Sequence, residues 1–156
     1  MKIEYIQGDL FNTEIDTIAH GCNAQGVMGS GVAKIVRDQY KEAYDYYIEV
    51  AKLGSEKYNR ILPLGSIIPC EANGKLIINA ITQESYGRAK QRYVSYDAVA
   101  QAMNRIERRY GASSERSIGQ IAMPQIGAGL GGGNWEVIAA IIEDELKTIK
   151  PFIYII

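Results

Sequence analysis

Histidine, cysteine and proline are all scarce in this chain. Its 156 residues include one histidine, His20, two cysteines, Cys22 and Cys70, and four prolines. Two cysteines do not make a disulfide framework. One histidine does not make a histidine-based metal site, and neither a metal nor another cofactor is expected. No apolar run approaches the ~18 residues of a membrane span. The opening Met1-Lys2-Ile3-Glu4-Tyr5 lacks the apolar core of a signal peptide. Charge of either sign is not in excess either: 17 Lys and Arg against 18 Asp and Glu leave a net charge of -1. Binding nucleic acid without regard to sequence needs a basic surface, so nucleic acid is not an expected partner in its own right. These absences predict a reduced, cytoplasmic, monomeric protein with no membrane contact. Apolar residues at 47% and charged residues at 22% are ordinary globular composition. The length suits one domain, residues 1–156.

Six segments read as strands: Lys2 to Ile6, Ile15 to His20, Leu64 to Cys70, Leu76 to Ile81, Ile118 to Met123 and Phe152 to Ile156. The third and fourth are joined by the turn sequence Glu71-Ala72-Asn73-Gly74, which predicts an antiparallel pair. A one-sided stripe of Val32, Ile35, Val36, Tyr40, Ala43, Tyr47 and Val50 predicts a helix beginning at an N-cap on Ser30. The polar stretch Lys52 to Asn59 is expected to be loop. Tyr96, Val99, Met103 and Ile106 mark a second helix. Val137, Ile138, Ile141, Ile142 and Leu146 mark a third, with Asn134 near its start. Strands alternating with helices imply an α/β protein in three α/β/α layers, around a mixed, largely parallel sheet of about six strands.

Glycine is the residue in good supply, with sixteen copies. Two clusters, Gly21 to Gly31 and Gly127 to Gly133, each lie between a strand and the following helix. Ligands of open α/β sheets bind at the carboxyl ends of strands. Glycine lets backbone approach a ligand closely, and a helix N-terminus offers free N–H groups to an anion. Two such loops at one sheet edge would clamp a diphosphate; the simpler alternative is a pair of tight turns. Gly127, Gly129 and Gly132 spell GxGxxG, but a dinucleotide fold needs a further strand with an acidic residue ~20 positions on. Only one helix and a terminal strand remain. No Gly-Lys-Ser/Thr follows either cluster, which excludes a P-loop.

Several segments together resemble the macro domain family. They are Gly8-Asp9-Leu10, Ala19-His20-Gly21-Cys22-Asn23 with Gly29-Ser30-Gly31-Val32-Ala33, Met123-Pro124-Gln125-Ile126-Gly127-Ala128-Gly129-Leu130 running on to Trp135, and the ending Phe152-Ile153-Tyr154-Ile155-Ile156. The likeness is strongest to the branch that holds ADP-ribose 1''-phosphate phosphatase, the terminal ADP-ribose–glutamate hydrolases and the DNA de-ADP-ribosylating antitoxins. It implies a macro-domain-like fold and a cleft for ADP-ribose or its derivatives. Asp9 would accept from the adenine amino group and Leu10 would offer its backbone N–H. Gly29, Ser30, Gly31 and Val32, with Gly127, Ala128, Gly129 and Leu130, would wrap the diphosphate. Asn23 would face the distal ribose, and Tyr154 would pack on the adenine. The phosphatase reading is carried by the His-x-Cys-Asn and Met-Pro-Gln-Ile segments. Its alternatives are a hydrolase freeing ADP-ribose from protein or DNA, and a binding module without turnover. By the same resemblance, hydrolase branches carry an Asp after the first glycine loop, or a Lys after the fourth strand with an Asp in the second glycine loop. Here those positions hold Ala33, Gln83 or Glu84, and Gly131.

For phosphatase chemistry His20 is the natural general acid or base, the alternative being a hydrogen-bonded, half-buried histidine with no catalytic role, and Asn23, three residues on, would hold the ribose hydroxyls or orient a water. Cys22 is not expected to be a nucleophile. Cysteine phosphatases place an Arg six residues after the Cys, where this chain has Met28, or Leu76 after Cys70. No Asp-x-Asp pair exists for aspartyl-phosphate chemistry. Arg88, Lys90 and Arg92 form a basic loop suited to a terminal phosphate or a nucleic-acid backbone, or else simply a solvated loop. Arg105, Arg108 and Arg109 are expected on a solvated helix face.

Overall fold

The structure, a computed structural model, describes residues 1–29, 31–58, 62–87 and 89–156, with backbone alone at 55–58. The elements run β1 (Glu4–Gln7), a 3-10 turn (Leu10–Asn12), β2 (Thr17–Asn23), α1 (Gly31–Gln39), α2 (Lys41–Tyr58), β3 (Ile67–Ala72), β4 (Lys75–Gln83), α3 (Tyr96–Tyr110), β5 (Gln120–Met123), α4 (Trp135–Glu145) and β6 (Lys150–Ile155). The strands form one sheet in the order β1-β6-β5-β2-β4-β3. β3 pairs antiparallel with β4, and the other neighbours are parallel. The β3–β4 hairpin closes on Asn73 and Gly74, whose φ of 49° and 79° match the mirror-image turn that suits twisted strands.

Helices cover both faces. Ile18, Cys22, Ile77 and Ile81 of the sheet pack with Val36, Ala43 and Tyr47 of α1 and α2. Ala19, Ile78, Ile121 and Ile153 pack on the other face with Val99, Met103 and Ile106 of α3 and Ile138 and Ile142 of α4. The period-two alternation along β2 sends residues 18 and 22 to one layer and 19 to the other. A fully buried Ile or Met in such a core is worth ~1.5–3 kcal/mol. Side-chain caps start the second pair of helices: Ser95 Oγ accepts from Ala98 N at 3.1 Å, and Asn134 Oδ1 from Glu136 N at 2.9 Å.

Two expectations about helices need correction. The long stripe is shared by two helices that meet at Tyr40. Tyr40 N still donates to Val36 O at 2.8 Å, and Tyr40 O accepts from Ala43 N at 3.0 Å, so the apolar phase passes through the junction. The stripe therefore hides the break, although Ile35 lies exposed. Lys52 to Tyr58 is helix rather than loop. A polar run without proline can continue a helix whose outer face is solvated. The described residues thus contain four α-helices where three were expected. Ser30, expected as an N-cap, and Asn59 lie outside the described residues.

Candidate functional site

β2 and β5 pair where Ile18 lies opposite Ala122, and β5 ends one residue later at Met123. β2 continues to Asn23, so His20 to Asn23 run past the end of their neighbour. A cleft of about 700 Å³ opens there, at the carboxyl ends of β2, β4 and β5. This is where crossovers leave β2 toward β4 and β5 toward β6, the crevice that α/β sheets use for ligands. Val27, Gly29, Gly31, Val32 and Ala33 form one wall, and Pro124 to Gly127 with Gly129 to Gly131 form the other. The two glycine loops expected to oppose each other do so.

The first wall ends in the start of α1. The leading N–H groups of a helix have no partner inside it, and its dipole favours an anion there. Asn23 sets the shape of this loop from within. Its Oδ1 accepts from Gln25 N at 3.0 Å and Val27 N at 3.3 Å, and its Nδ2 donates to Val27 O at 2.8 Å. Tyr47, buried on α2, donates its hydroxyl to Asn23 O at 2.5 Å. In the second wall Gly133 N donates to Gly127 O at 2.7 Å, and Gly131 O accepts from Tyr93 N at 2.7 Å and Val94 N at 3.0 Å. Gly127 has φ 75°, and a Cβ there would sit 2.6 Å from Val94 Cγ2, so no other residue fits without strain. Ala128 N turns inward to Gln125 O at 3.2 Å, and Ala128 does not line the cleft.

His20 borders the cleft, yet the residue is 1% exposed and reaches toward α2 through Asn79. Nε2 lies 2.6 Å from Asn79 Oδ1, and Asn79 Nδ2 donates to Ala43 O at 3.3 Å and Ile68 O at 3.2 Å. Burial outweighs the Asn79 hydrogen bond and lowers the His20 pKa from 6.5 to about 4. The imidazole is therefore neutral at neutral pH, with Nε2–H donating to Asn79. Cys22 Sγ lies 3.6 Å from Nε2 and 3.8 Å from Nδ1, within reach of a weak thiol hydrogen bond to the ring. Burial pushes the Cys22 thiol well up, as befits a packed cysteine rather than a nucleophile.

Asp9, Leu10 and Tyr154 gather at the ends of β1 and β6, on the same sheet edge but outside the walls of the cleft. Asp9 is exposed and caps the 3-10 turn, with Oδ1 accepting from Phe11 N at 2.9 Å. Leu10 is buried, and Tyr154, opposite Ile6, donates to Thr13 Oγ1 at 2.7 Å. Ser30 and Arg88 lie outside the described residues. Lys90 and Arg92 do not line the cleft; the Arg92 guanidinium stands 4.5 Å from the Tyr96 ring centroid. Arg105 is not simply solvated, since it donates to Gly65 O.

The end of β4 supplies Thr82, Tyr86 and Gly87, which sequence reading missed, and Gln83, which it had matched only to the position of a hydrolase branch's Lys. The available signal was topological. Every parallel strand delivers its carboxyl end to the same edge, including one followed by an ordinary polar loop. Among the described lining residues there is no Asp, Glu, Lys or Arg.

The macro domain family model matches residues 19–142. An ADP-ribose 1''-phosphate phosphatase of Neosartorya fischeri is 31% identical over 96% of this chain and 94% of its own length. A protein from the tk-vs intergenic region of Enterobacteria phage T4 is 33% identical over 92% of this chain and 89% of its own. The structure of Thermosipho africanus DarTG in complex with ADP-ribose superposes with a TM-score of 0.78 at 22% identity, over 98% of this chain and 41% of that one. With the model spanning well over half of the sequence, and both glycine loops and the mixed six-stranded sheet in place, the chain belongs to the macro domain family.

Proposed function

We propose that this chain binds ADP-ribose along the carboxyl edge of its sheet and removes the phosphate from ADP-ribose 1''-phosphate. The observation that carries the binding half is a cleft with one glycine loop on each side. The sheet order supports one direction for the ligand. Asp9, Leu10 and Tyr154, at the β1–β6 end, take the adenine. Gly29, Gly31 and Val32 on one side and Gly127, Gly129 and Leu130 on the other flank the diphosphate. The distal ribose then lies over the ends of β2 and β4, near Asn23. The phosphatase half rests on the names of relatives that align over nearly the whole chain.

In this reading His20 and Asn23 act by position. Asn23 holds the first glycine loop in shape, and His20 ties β2 to β4 through Asn79. A neutral, enclosed imidazole is a poor acid for the departing sugar oxygen, which distinguishes this role from the acid–base one that the sequence suggests. The uncharged cleft wall favours a second reading, in which the protein binds ADP-ribose without turning anything over. One pair of measurements separates them: calorimetry with ADP-ribose, and release of inorganic phosphate from ADP-ribose 1''-phosphate. Binding with release supports the phosphatase. Binding without release supports the second reading, and failure to bind removes both.

A further inference from the structure

Among the described residues, two buried side-chain oxygens have no hydrogen-bond partner, Thr82 Oγ1 and Tyr110 Oη. Tyr110 ends α3, near the start of β5 and away from the cleft. Thr82 is different. It is 0% exposed, yet it lines the cleft at the carboxyl end of β4. Leaving a buried hydroxyl unpaired is costly, and native proteins seldom do so without a reason.

The local geometry supplies one. Gly21, across on β2, has no side chain where a Cβ would stand 2.7 Å from Thr82 Oγ1 and 3.1 Å from Ile126 Cγ2. A Cβ at position 21 would take up the space beside the hydroxyl. Gly21, Thr82 and Ile126 all line the cleft, so the oxygen lies just beneath its floor, with only the missing side chain of Gly21 leaving room toward it. β2 and β4 lie at the end of the sheet away from Asp9 and Tyr154. A ligand with its adenine at the β1–β6 end brings its terminal sugar here.

We infer that Thr82 is a ligand-binding residue that reads the distal ribose, its hydroxyl exchanging a hydrogen bond with a sugar oxygen over Gly21. This rests on the ADP-ribose reading of the cleft and adds a residue that selects ADP-ribose over ADP. Valine has nearly the shape of threonine without the hydroxyl. Because the fold gives that hydroxyl no partner, Thr82→Val keeps the melting temperature of the wild type or raises it by a few degrees.

The test is calorimetry of wild type, Thr82→Val and Thr82→Ser with ADP-ribose and with ADP, alongside thermal melts. Thr82→Val should bind ADP-ribose about three- to tenfold more weakly and ADP unchanged, and Thr82→Ser should restore the ADP-ribose affinity. Equal ADP-ribose binding by Thr82→Val and wild type overturns the inference. So does parallel weakening toward ADP and ADP-ribose, which marks a displaced loop rather than a lost contact. A melting temperature several degrees lower in Thr82→Val would show that the fold itself uses the hydroxyl, and would overturn it too. Wild type that binds ADP but gains nothing from the distal ribose refutes the inference alone. Wild type that binds neither ligand refutes the ADP-ribose reading beneath it.

Discussion

Replacing His20 by Gln should make the protein less sensitive to acid. In the folded chain burial holds the imidazole pKa at about 4, against 6.5 for an ordinary histidine. Below pH 6.5 the unfolded chain takes up a proton that the folded chain refuses until about pH 4. Stability rises with pH wherever the unfolded state binds more protons. The His20 contribution is therefore complete above pH 6.5, is lost as pH falls from 6.5 to about 4, and changes no further below that. At 1.36 kcal/mol for each pH unit of separation, the whole effect is on the order of 3 kcal/mol. Urea unfolding from pH 7.5 to 4.5 would measure it in wild type and in His20→Gln, which keeps a donor for Asn79. The carboxylates are common to both proteins, so their acid destabilisation cancels in the difference. Wild type should lose roughly 2–3 kcal/mol more than the variant across that range. Parallel curves would show that His20 titrates normally, and the enclosed neutral imidazole would be the wrong description.

Three further outcomes follow from the geometry. Asn79→Ala strips His20 Nε2 and the Ala43 and Ile68 carbonyls of their shared partner; it should cost ~3 kcal/mol and lower the melting temperature by about 6–12 °C, and a loss below 1 kcal/mol would mean that the network relaxes freely. Asp9→Asn keeps the cap on Phe11 N, since Asn caps as well as Asp; calorimetry should nevertheless show ADP-ribose bound about tenfold more weakly, and unchanged affinity would take Asp9 out of the site. Gly127→Ala forces a Cβ onto Val94 at positive φ; a loss of about 1–3 kcal/mol in denaturant unfolding, with weaker ADP-ribose binding, is expected, and a neutral result would mean that the second glycine loop yields without harm.

Local chemistry explains which parts of this fold were legible. The Asn73–Gly74 turn, the strand cores and the α3 and α4 stripes each rest on contacts close in sequence or on a clean period. The two glycine loops were visible because glycine clusters have few other uses. The α1–α2 junction was hidden, because Tyr40 continues the apolar phase of both helices and is itself buried. The role of His20 was hidden for another reason. Its nearest polar partner, Asn79, lies 59 residues away on a strand whose neighbour only the sheet order reveals. Asn79 sits in an apolar run, Leu76 to Ile81, where a lone amide gives no hint of what it faces. Thr82 escaped similarly, since nothing local marks the end of β4 as part of a site.

The charge of the cleft bears on turnover more than on binding. A diphosphate there meets the start of α1, equivalent to roughly half a positive charge, and backbone N–H groups of the glycine loops. Neither presents a titrating group, so neither supplies a proton. Positioned acid–base side chains typically contribute ~100–10,000-fold to a rate, and the described walls hold no carboxylate or amine to provide it. His20, neutral and tied to Asn79, does not replace them. Under the phosphatase reading, phosphate loss would draw on orientation: a water held beside the phosphorus by polar groups such as Gln83 or Gln125, with the departing oxygen protonated from solvent. Holding reactants in line is itself a large effect. A phosphatase built that way depends on how rigidly Asn23 and Gly127 keep the two loops apart. Its rate should therefore respond to those loop anchors rather than to the titration of any side chain near neutral pH.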